Sequence, residues 1–62
     1  MKNKFLRLSS VIELTGLSRS TIYLMIKNDE FPEQVSLGER SVAWIEKEIL
    51  DWIEMKINES RR

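Results

Sequence analysis

The most informative segment of this 62-residue chain is Leu14-Thr15-Gly16-Leu17-Ser18-Arg19-Ser20-Thr21-Ile22-Tyr23. Gly16 tolerates the left-handed backbone that ends a helix, and Ser18 is a good N-cap for the helix that follows. Leu17 and Ile22 stand at the two positions of a hydrophobic staple, which sets the angle at which the chain enters that helix. A short helix, a tight turn with glycine and a second capped helix are typical of a helix-turn-helix.

The residues before this turn predict a first helix over residues 9–15. Ser10 followed by Glu13 fits a capping box, and Ser9 is the alternative cap. Apolar residues recur at three-residue spacing through Leu8, Val11 and Leu14 and give the helix a short apolar edge.

The residues after the turn predict a second helix, the recognition helix, over residues 18–28. An i, i+3, i+4 stripe marks its buried face and consists of Ile22, Met25 and Ile26. The sequence Phe31-Pro32 ends this region, because proline cannot continue a helix and restricts the residue before it. The face opposite the stripe shows Ser20, Tyr23, Leu24 and Lys27, with Arg19 in the first turn.

Residues 34–44 predict a β-hairpin. Val35 and Leu37 alternate with polar neighbours, Val42 and Trp44 form a second run of period two, and Gly38-Glu39-Arg40 lies between the two runs. Two such runs around a short loop with glycine are typical of a hairpin. Beside a helix-turn-helix, this hairpin would be a wing.

A last helix is predicted over residues 46–58. Glu46 and Glu48 lie near its N-terminus, where the helix dipole is positive, and Lys56 lies near its C-terminus, where the dipole is negative. We expect this helix to cover the core. The predicted fold class is therefore mainly α with a small β-hairpin, a winged helix-turn-helix in a single domain over residues 1–62. The apolar stripe of the last helix comprises Ile45, Ile49, Trp52, Ile53 and Ile57.

The composition excludes several function classes. The chain has no Cys and no His, so a disulfide, a zinc site with these ligands and a Cys/His nucleophile are excluded. Acidic pairs such as Glu46 with Glu48 have no catalytic motif beside them, so we expect no enzyme activity, no cofactor and no metal. The apolar runs are far shorter than the roughly 20 residues of a membrane span, and no leader is recognisable. We therefore expect a cytoplasmic protein without a membrane partner.

The net charge is zero, but the charges are unevenly distributed. Residues 1–27 carry five bases and one acid, a net of +4, whereas residues 28–62 carry nine acids and five bases, a net of −4. Such asymmetry can create a basic face that suits nucleic acid, although ordinary surface charge explains the asymmetry alone equally well. Residues 1–7, with Lys2, Lys4 and Arg7, can form a flexible basic arm.

The chain resembles the AlpA-like prophage regulators, which are similar to MerR-type and excisionase-type winged helices. The resemblance covers about residues 6–57. It implies a sequence-specific transcriptional regulator of a prophage or genomic island that binds double-stranded DNA. The motifs that carry it are residues 14–23, Phe31-Pro32, Leu37-Gly38 with Arg40, and Trp44 with Trp52-Ile53.

The resemblance and the residue chemistry together give a set of expected DNA contacts. The side-chain fork of Arg19 suits the two acceptors of a guanine, while Lys27 and Arg40 suit phosphates. The free backbone N–H groups beside Ser18 suit a phosphate oxygen. The complete predicted set is Ser18, Arg19, Ser20, Thr21, Tyr23, Leu24, Lys27 and Arg40.

Several of these residues also have a simpler structural interpretation. Thr21 lies next to the cap and is more simply structural, and Tyr23 can pack partly on the core. Leu24 can be an ordinary exposed leucine or touch a thymine methyl. Leu24, Glu33 and Ser36 stand where many relatives carry basic residues, so we expect weaker non-specific DNA affinity.

Two other functions stay open at this point. An excisionase that bends attachment-site DNA would use the same domain. Alternatively, the acidic last helix can make the chain a protein-interaction module that docks a basic partner such as an integrase or an RNA polymerase subunit. One recognition helix makes few contacts, so we expect a homodimer or cooperative assembly on DNA, for which Leu50 and Met55 are the candidate interface residues.

Overall fold

Residues 4–62, which the computed structural model describes, form three helices around a three-stranded antiparallel sheet of order β1-β3-β2. This arrangement confirms the winged helix-turn-helix fold expected from the sequence. The elements in chain order are β1 (Phe5–Leu6), α1 (Leu8–Thr15), α2 (Arg19–Lys27), β2 (Val35–Gly38), β3 (Ser41–Ile45) and α3 (Glu46–Ser60).

The turn between α1 and α2 has the geometry that its sequence predicts. Gly16 adopts the left-handed conformation with φ of 73°, and its N–H donates to the carbonyl of Ile12 at 2.8 Å. Ser18 is the N-cap of α2, and its hydroxyl accepts the Thr21 N–H at 3.2 Å. Two local signals therefore fix where one helix ends and the next begins.

The start of α1 differs from the prediction, and the capping box of Ser10 and Glu13 is wrong. The helix begins at Leu8, and its N-cap is Arg7, whose side chain makes no cap hydrogen bond. The Arg7 carbonyl accepts the N–H groups of Ser10 and Val11 at 3.0 and 3.1 Å. Because β1 leads directly into α1, the strand sets the start of the helix, and Ser9 and Ser10 lie inside it.

The prediction of a flexible arm over residues 1–7 is wrong for residues 4–7, which the structure describes and which are bonded to the rest of the domain. Phe5 pairs with Ile45 on β3, and the Lys4 carbonyl accepts the first N–H of α3, from Glu46, at 2.8 Å. The Arg7 guanidinium donates to the Ser41 hydroxyl at 3.0 Å. These bonds fix residues 4–7 against the wing and α3, whereas residues 1–3, including Lys2, lie outside the described residues.

The wing is a hairpin with a tighter turn than expected. Gly38 pairs with Ser41, so Glu39 and Arg40 alone form the turn. Arg40 adopts a positive φ of 59°, which is uncommon for a residue with a side chain. The register of β2 against β3 shifts by one residue between Ser36, which pairs with Val42, and Gly38, which pairs with Ser41. This shift leaves two residues for the turn.

Trp44 on β3 joins the sheet to α2 and to the segment before β2. Its side chain is fully buried, and its indole N–H donates to the Pro32 carbonyl at 3.0 Å. The Tyr23 ring of α2 meets it edge-on, with centroids 6.2 Å apart. The buried core cluster consists of Leu6, Val11, Ile22, Phe31, Trp44 and Ile49.

The helix α3 covers this core with its first half. Ile49 is fully buried, but Ile57 is 40% exposed, so the predicted apolar stripe contacts the core only over about the first two turns, as far as Ile53. Trp52 packs edge-on against Phe31 with centroids 4.7 Å apart. The helix continues to Ser60 and has no basic residue in its last turn, so the expected match of Lys56 to the helix dipole is wrong.

The two serines predicted as caps should respond differently to alanine. Ser18→Ala removes an observed cap bond and is expected to lower the free energy of unfolding by about 1 kcal/mol. Ser10→Ala removes no observed bond and should change it by less than about 0.5 kcal/mol. Urea unfolding followed by circular dichroism measures both, and equal losses in the two variants would contradict the observed start of α1.

Candidate nucleic-acid interface

The exposed face of α2 is basic and free of acids. Residues 14–28 contain no Asp or Glu, and the helix starts directly after the Ser18 cap. Among the predicted contacts, Arg19, Ser20 and Lys27 are exposed, and Leu24 is 58% exposed. Ile22 points the other way and is fully buried, so the helix separates a core face from a solvent face.

Arg19 is held by the aromatic ring one turn further along α2. Its guanidinium carbon lies 5.5 Å from the centroid of the Tyr23 ring, within the range of a cation–π contact. Tyr23 is half-buried and in turn packs edge-on against Trp44. The Arg19 side chain is therefore supported by the Tyr23 ring while its charged end stays exposed. Tyr23 also makes the contact with the core that was one of its two expected roles.

Ser18 and Thr21 hold each other at the start of α2. The Ser18 hydroxyl donates to the Thr21 hydroxyl oxygen at 2.9 Å and accepts the Thr21 N–H at 3.2 Å. This pair gives Thr21 a structural contact. The N–H groups of Arg19 and Ser20 have no partner within a helix, so they are free to donate to an external acceptor such as a phosphate oxygen.

Basic residues also lie on the wing. Arg40 is exposed in the two-residue turn, next to the exposed Glu39. Arg7 is exposed as well, and its guanidinium reaches the Ser41 hydroxyl at 3.0 Å and the Val42 carbonyl at 3.4 Å. From the sequence, Arg7 was expected in a flexible arm. Its contact with the wing could not be predicted from a local pattern, because Ser41 and Val42 lie 34 and 35 positions further along the chain.

The described residues include an open groove but neither a metal cluster nor a membrane-spanning helix. No group of three or more acidic side chains in residues 4–62 is arranged to hold a metal ion. None of the described helices is long and apolar enough to cross a membrane. An open groove of about 620 Å³ lies between α3 and the sheet, and Val35, Ile45 and Met55 contribute to its lining. None of the predicted DNA contacts lines this groove.

Residues 4–57 match the family described as prophage CP4-57 regulatory protein (AlpA). The chain belongs to this AlpA family. The ORF88 protein of Enterobacteria phage P4 is 48% identical over 61 residues, which cover 98% of this chain and 69% of that protein. The DNA-binding transcriptional activator AlpA of Escherichia coli strain K12 is 39% identical over 59 residues, which cover 86% of this chain and 84% of that protein. The resemblance noted in the sequence is thus confirmed, and the match includes all of α2 and the wing.

The exposure of Leu24 predicts that this AlpA-family chain does not need it for folding. Leu24→Gln keeps a good helix former and should change the free energy of unfolding by less than about 0.5 kcal/mol. Ile22→Ala, two residues earlier on the buried face, should lower it by about 2–5 kcal/mol. Urea unfolding compares the two variants, and a large loss for Leu24→Gln would show that Leu24 packs in the core.

Proposed function

We propose that this chain is a prophage transcription regulator that binds double-stranded DNA with α2 in the major groove. The observation that carries the proposal is the exposed, acid-free face of α2, Arg19–Lys27, which begins at a capped N-terminus. A major groove admits an α-helix, and helix-turn-helix proteins place the second helix there. The similarity to the DNA-binding transcriptional activator AlpA of Escherichia coli supports the same assignment.

Phosphate contacts would hold the domain on the duplex. The free N–H groups at the start of α2 can donate to one phosphate, and Lys27 can neutralise another from the far end of the helix. Arg40 can reach a phosphate from the wing turn, and Arg7 can reach one from the start of α1, where its side chain lies against β3. If the three side chains each neutralise one phosphate, the logarithm of the affinity should fall with the logarithm of salt concentration with a slope of roughly −3.

Base contacts would come from the first turn and the middle of the exposed face. Arg19 can donate to both acceptors on the major-groove edge of a guanine, and its contact with Tyr23 reduces the freedom that it must lose on binding. Leu24, 58% exposed, can touch a thymine methyl. Ser20 can donate to a base or to a phosphate from the first turn.

Regulation, rather than excision, is the proposed role because the AlpA family is described as regulatory. We also propose a cytoplasmic location, where the DNA target would lie. A single recognition helix reads only a short site, so we propose that two or more copies bind neighbouring half-sites. A symmetric pair would use half-sites spaced by about one helical turn of 34–36 Å.

The arginine contacts can be separated by selecting duplexes from random DNA and measuring affinity by fluorescence anisotropy in rising salt. Arg19→Ala should lower affinity for the selected site by about 1–3 kcal/mol and relax the preference at one base pair, because it removes a base contact. Arg40→Ala should weaken binding to all sequences and reduce the salt slope by about 1, because it removes a phosphate contact.

Arg62→Ala is the matched control, since it removes an exposed arginine near the end of the chain, beyond α3. It should leave affinity and the salt slope unchanged. If wild-type protein selects no sequence, or if Arg19→Ala and Arg62→Ala bind alike, α2 is not the reading helix. Strong bending of the selected duplex in a circular-permutation assay would instead favour a role in excision.

A further inference from the structure

The strand β3 is apolar on both faces from Val42 to Ile45. Val42 and Trp44 face the core cluster, so the alternate residues Ala43 and Ile45 face the other side of the sheet. An antiparallel strand with one face in water normally alternates apolar and polar residues. The composition of β3 is therefore that of a strand covered on both faces.

Neighbouring strands extend this second apolar face. Phe5 pairs with Ile45, and Val35 pairs with Ala43. Residues directly opposite each other in antiparallel strands project to the same side, so all four lie together. Ala43 is fully buried, with 1% of its surface exposed, whereas Phe5 is 51% exposed, and Val35 and Ile45 are only partly buried. Within residues 4–62, then, this side of the sheet is covered at Ala43 and partly open at Phe5, Val35 and Ile45.

The helix α3 forms a wall beside this face and turns part of it into a groove. The groove has a volume of about 620 Å³, and its apolar lining includes Val35, Ile45, Trp52 and Met55. Met55 is 44% exposed, and the Trp52 indole N–H is already bonded to the Glu30 carbonyl at 2.9 Å. The groove thus offers apolar surface whose position is fixed by the fold.

The rim of the groove is acidic. Glu33, Glu48 and Asp51 line it, and all three are exposed. Lys47 pairs with Asp51 at 2.9 Å, whereas Glu33 and Glu48 form no ion pair in the part of the chain that the structure describes. Gln34 also lines the groove, and its side-chain carbonyl is buried without a hydrogen-bond partner in residues 4–62. The groove therefore combines apolar surface with the uncompensated negative charge of Glu33 and Glu48.

We propose that this groove binds a basic, amphipathic segment of a partner protein. The apolar side of such a segment would cover Val35, Ile45 and Met55, and its Lys or Arg side chains would meet the acidic rim. A second copy in a two-fold dimer is disfavoured, because the same acidic rim would then face itself. DNA is excluded from the groove by the same charges, so partner and DNA bind to separate surfaces.

The test uses a synthetic Lys/Leu peptide with leucines at the i, i+3, i+4, i+7 spacing of an amphipathic helix. A scrambled peptide of the same composition keeps the charge and removes the apolar side. Calorimetry with the full chain should show binding at least about tenfold tighter for the patterned peptide, a difference of about 1.4 kcal/mol. Methyl signals of Val35, Ile45 and Met55 should shift in the nuclear magnetic resonance spectrum.

Two matched variants test whether the peptide binds in the groove. Met55→Lys and Leu14→Lys each put a lysine on a helix at an apolar residue of similar exposure, 44% and 47%. Only Met55→Lys changes the groove, and it should weaken the patterned peptide about tenfold while leaving DNA affinity unchanged. DNA binding is measured on the same samples, so failure of this proposal is distinguishable from failure of the proposed function.

Equal binding of the scrambled peptide, or equal affinity in the two lysine variants, would overturn the proposal, because charge alone would then explain the binding. The absence of peptide binding would overturn it as well. A concentration-dependent dimer in sedimentation that Met55→Lys abolishes, without peptide binding, would assign the face to a second copy of the chain instead.

Discussion

The buried side chain of Trp44 holds together the sheet, α2 and the segment before β2. Its indole N–H bonds to the Pro32 carbonyl, its ring meets Tyr23 of α2, and its strand pairs with Leu6 of β1. A domain of about 60 residues buries only roughly 60% of the surface of its unfolded chain, so each large buried side chain matters. Through Tyr23, the same core contact reaches Arg19 on the exposed face of α2, which links the packing of the sheet to the proposed DNA contact.

The uneven charge of the sequence becomes two distinct surfaces in the fold. The acid-free segment of residues 14–28 exposes the basic face of α2, whereas acids of the second half, Glu33 and Glu48, line the groove beside α3. A net charge of zero therefore conceals one surface suited to phosphates and another that repels them. The proposed regulator would hold DNA with the first surface and a basic protein segment with the second.

Local signals predicted the centre of the fold and missed its edges. Gly16 and Ser18 act through bonds to residues three or four positions away, so sequence alone places the turn. The strand at Phe5 exists only because it pairs with Ile45, 40 positions away, and no pattern within two residues can reveal such a pairing. The same strand moved the start of α1 to Leu8. For the candidate site, the exposed face of α2 follows from helical periodicity, whereas the contact of Arg7 with the wing depends on folding.

We propose that α2 and the wing, rather than α3, meet DNA. A titration of ¹⁵N-labelled protein with a duplex selected from random sequence, followed by nuclear magnetic resonance, tests this proposal. If the proposal is right, the largest amide shifts occur at Arg19, Ser20 and Arg40, while the amide of Met55 stays in place. Shifts concentrated at Met55 and its neighbours on α3, with the amides of α2 unchanged, would contradict it.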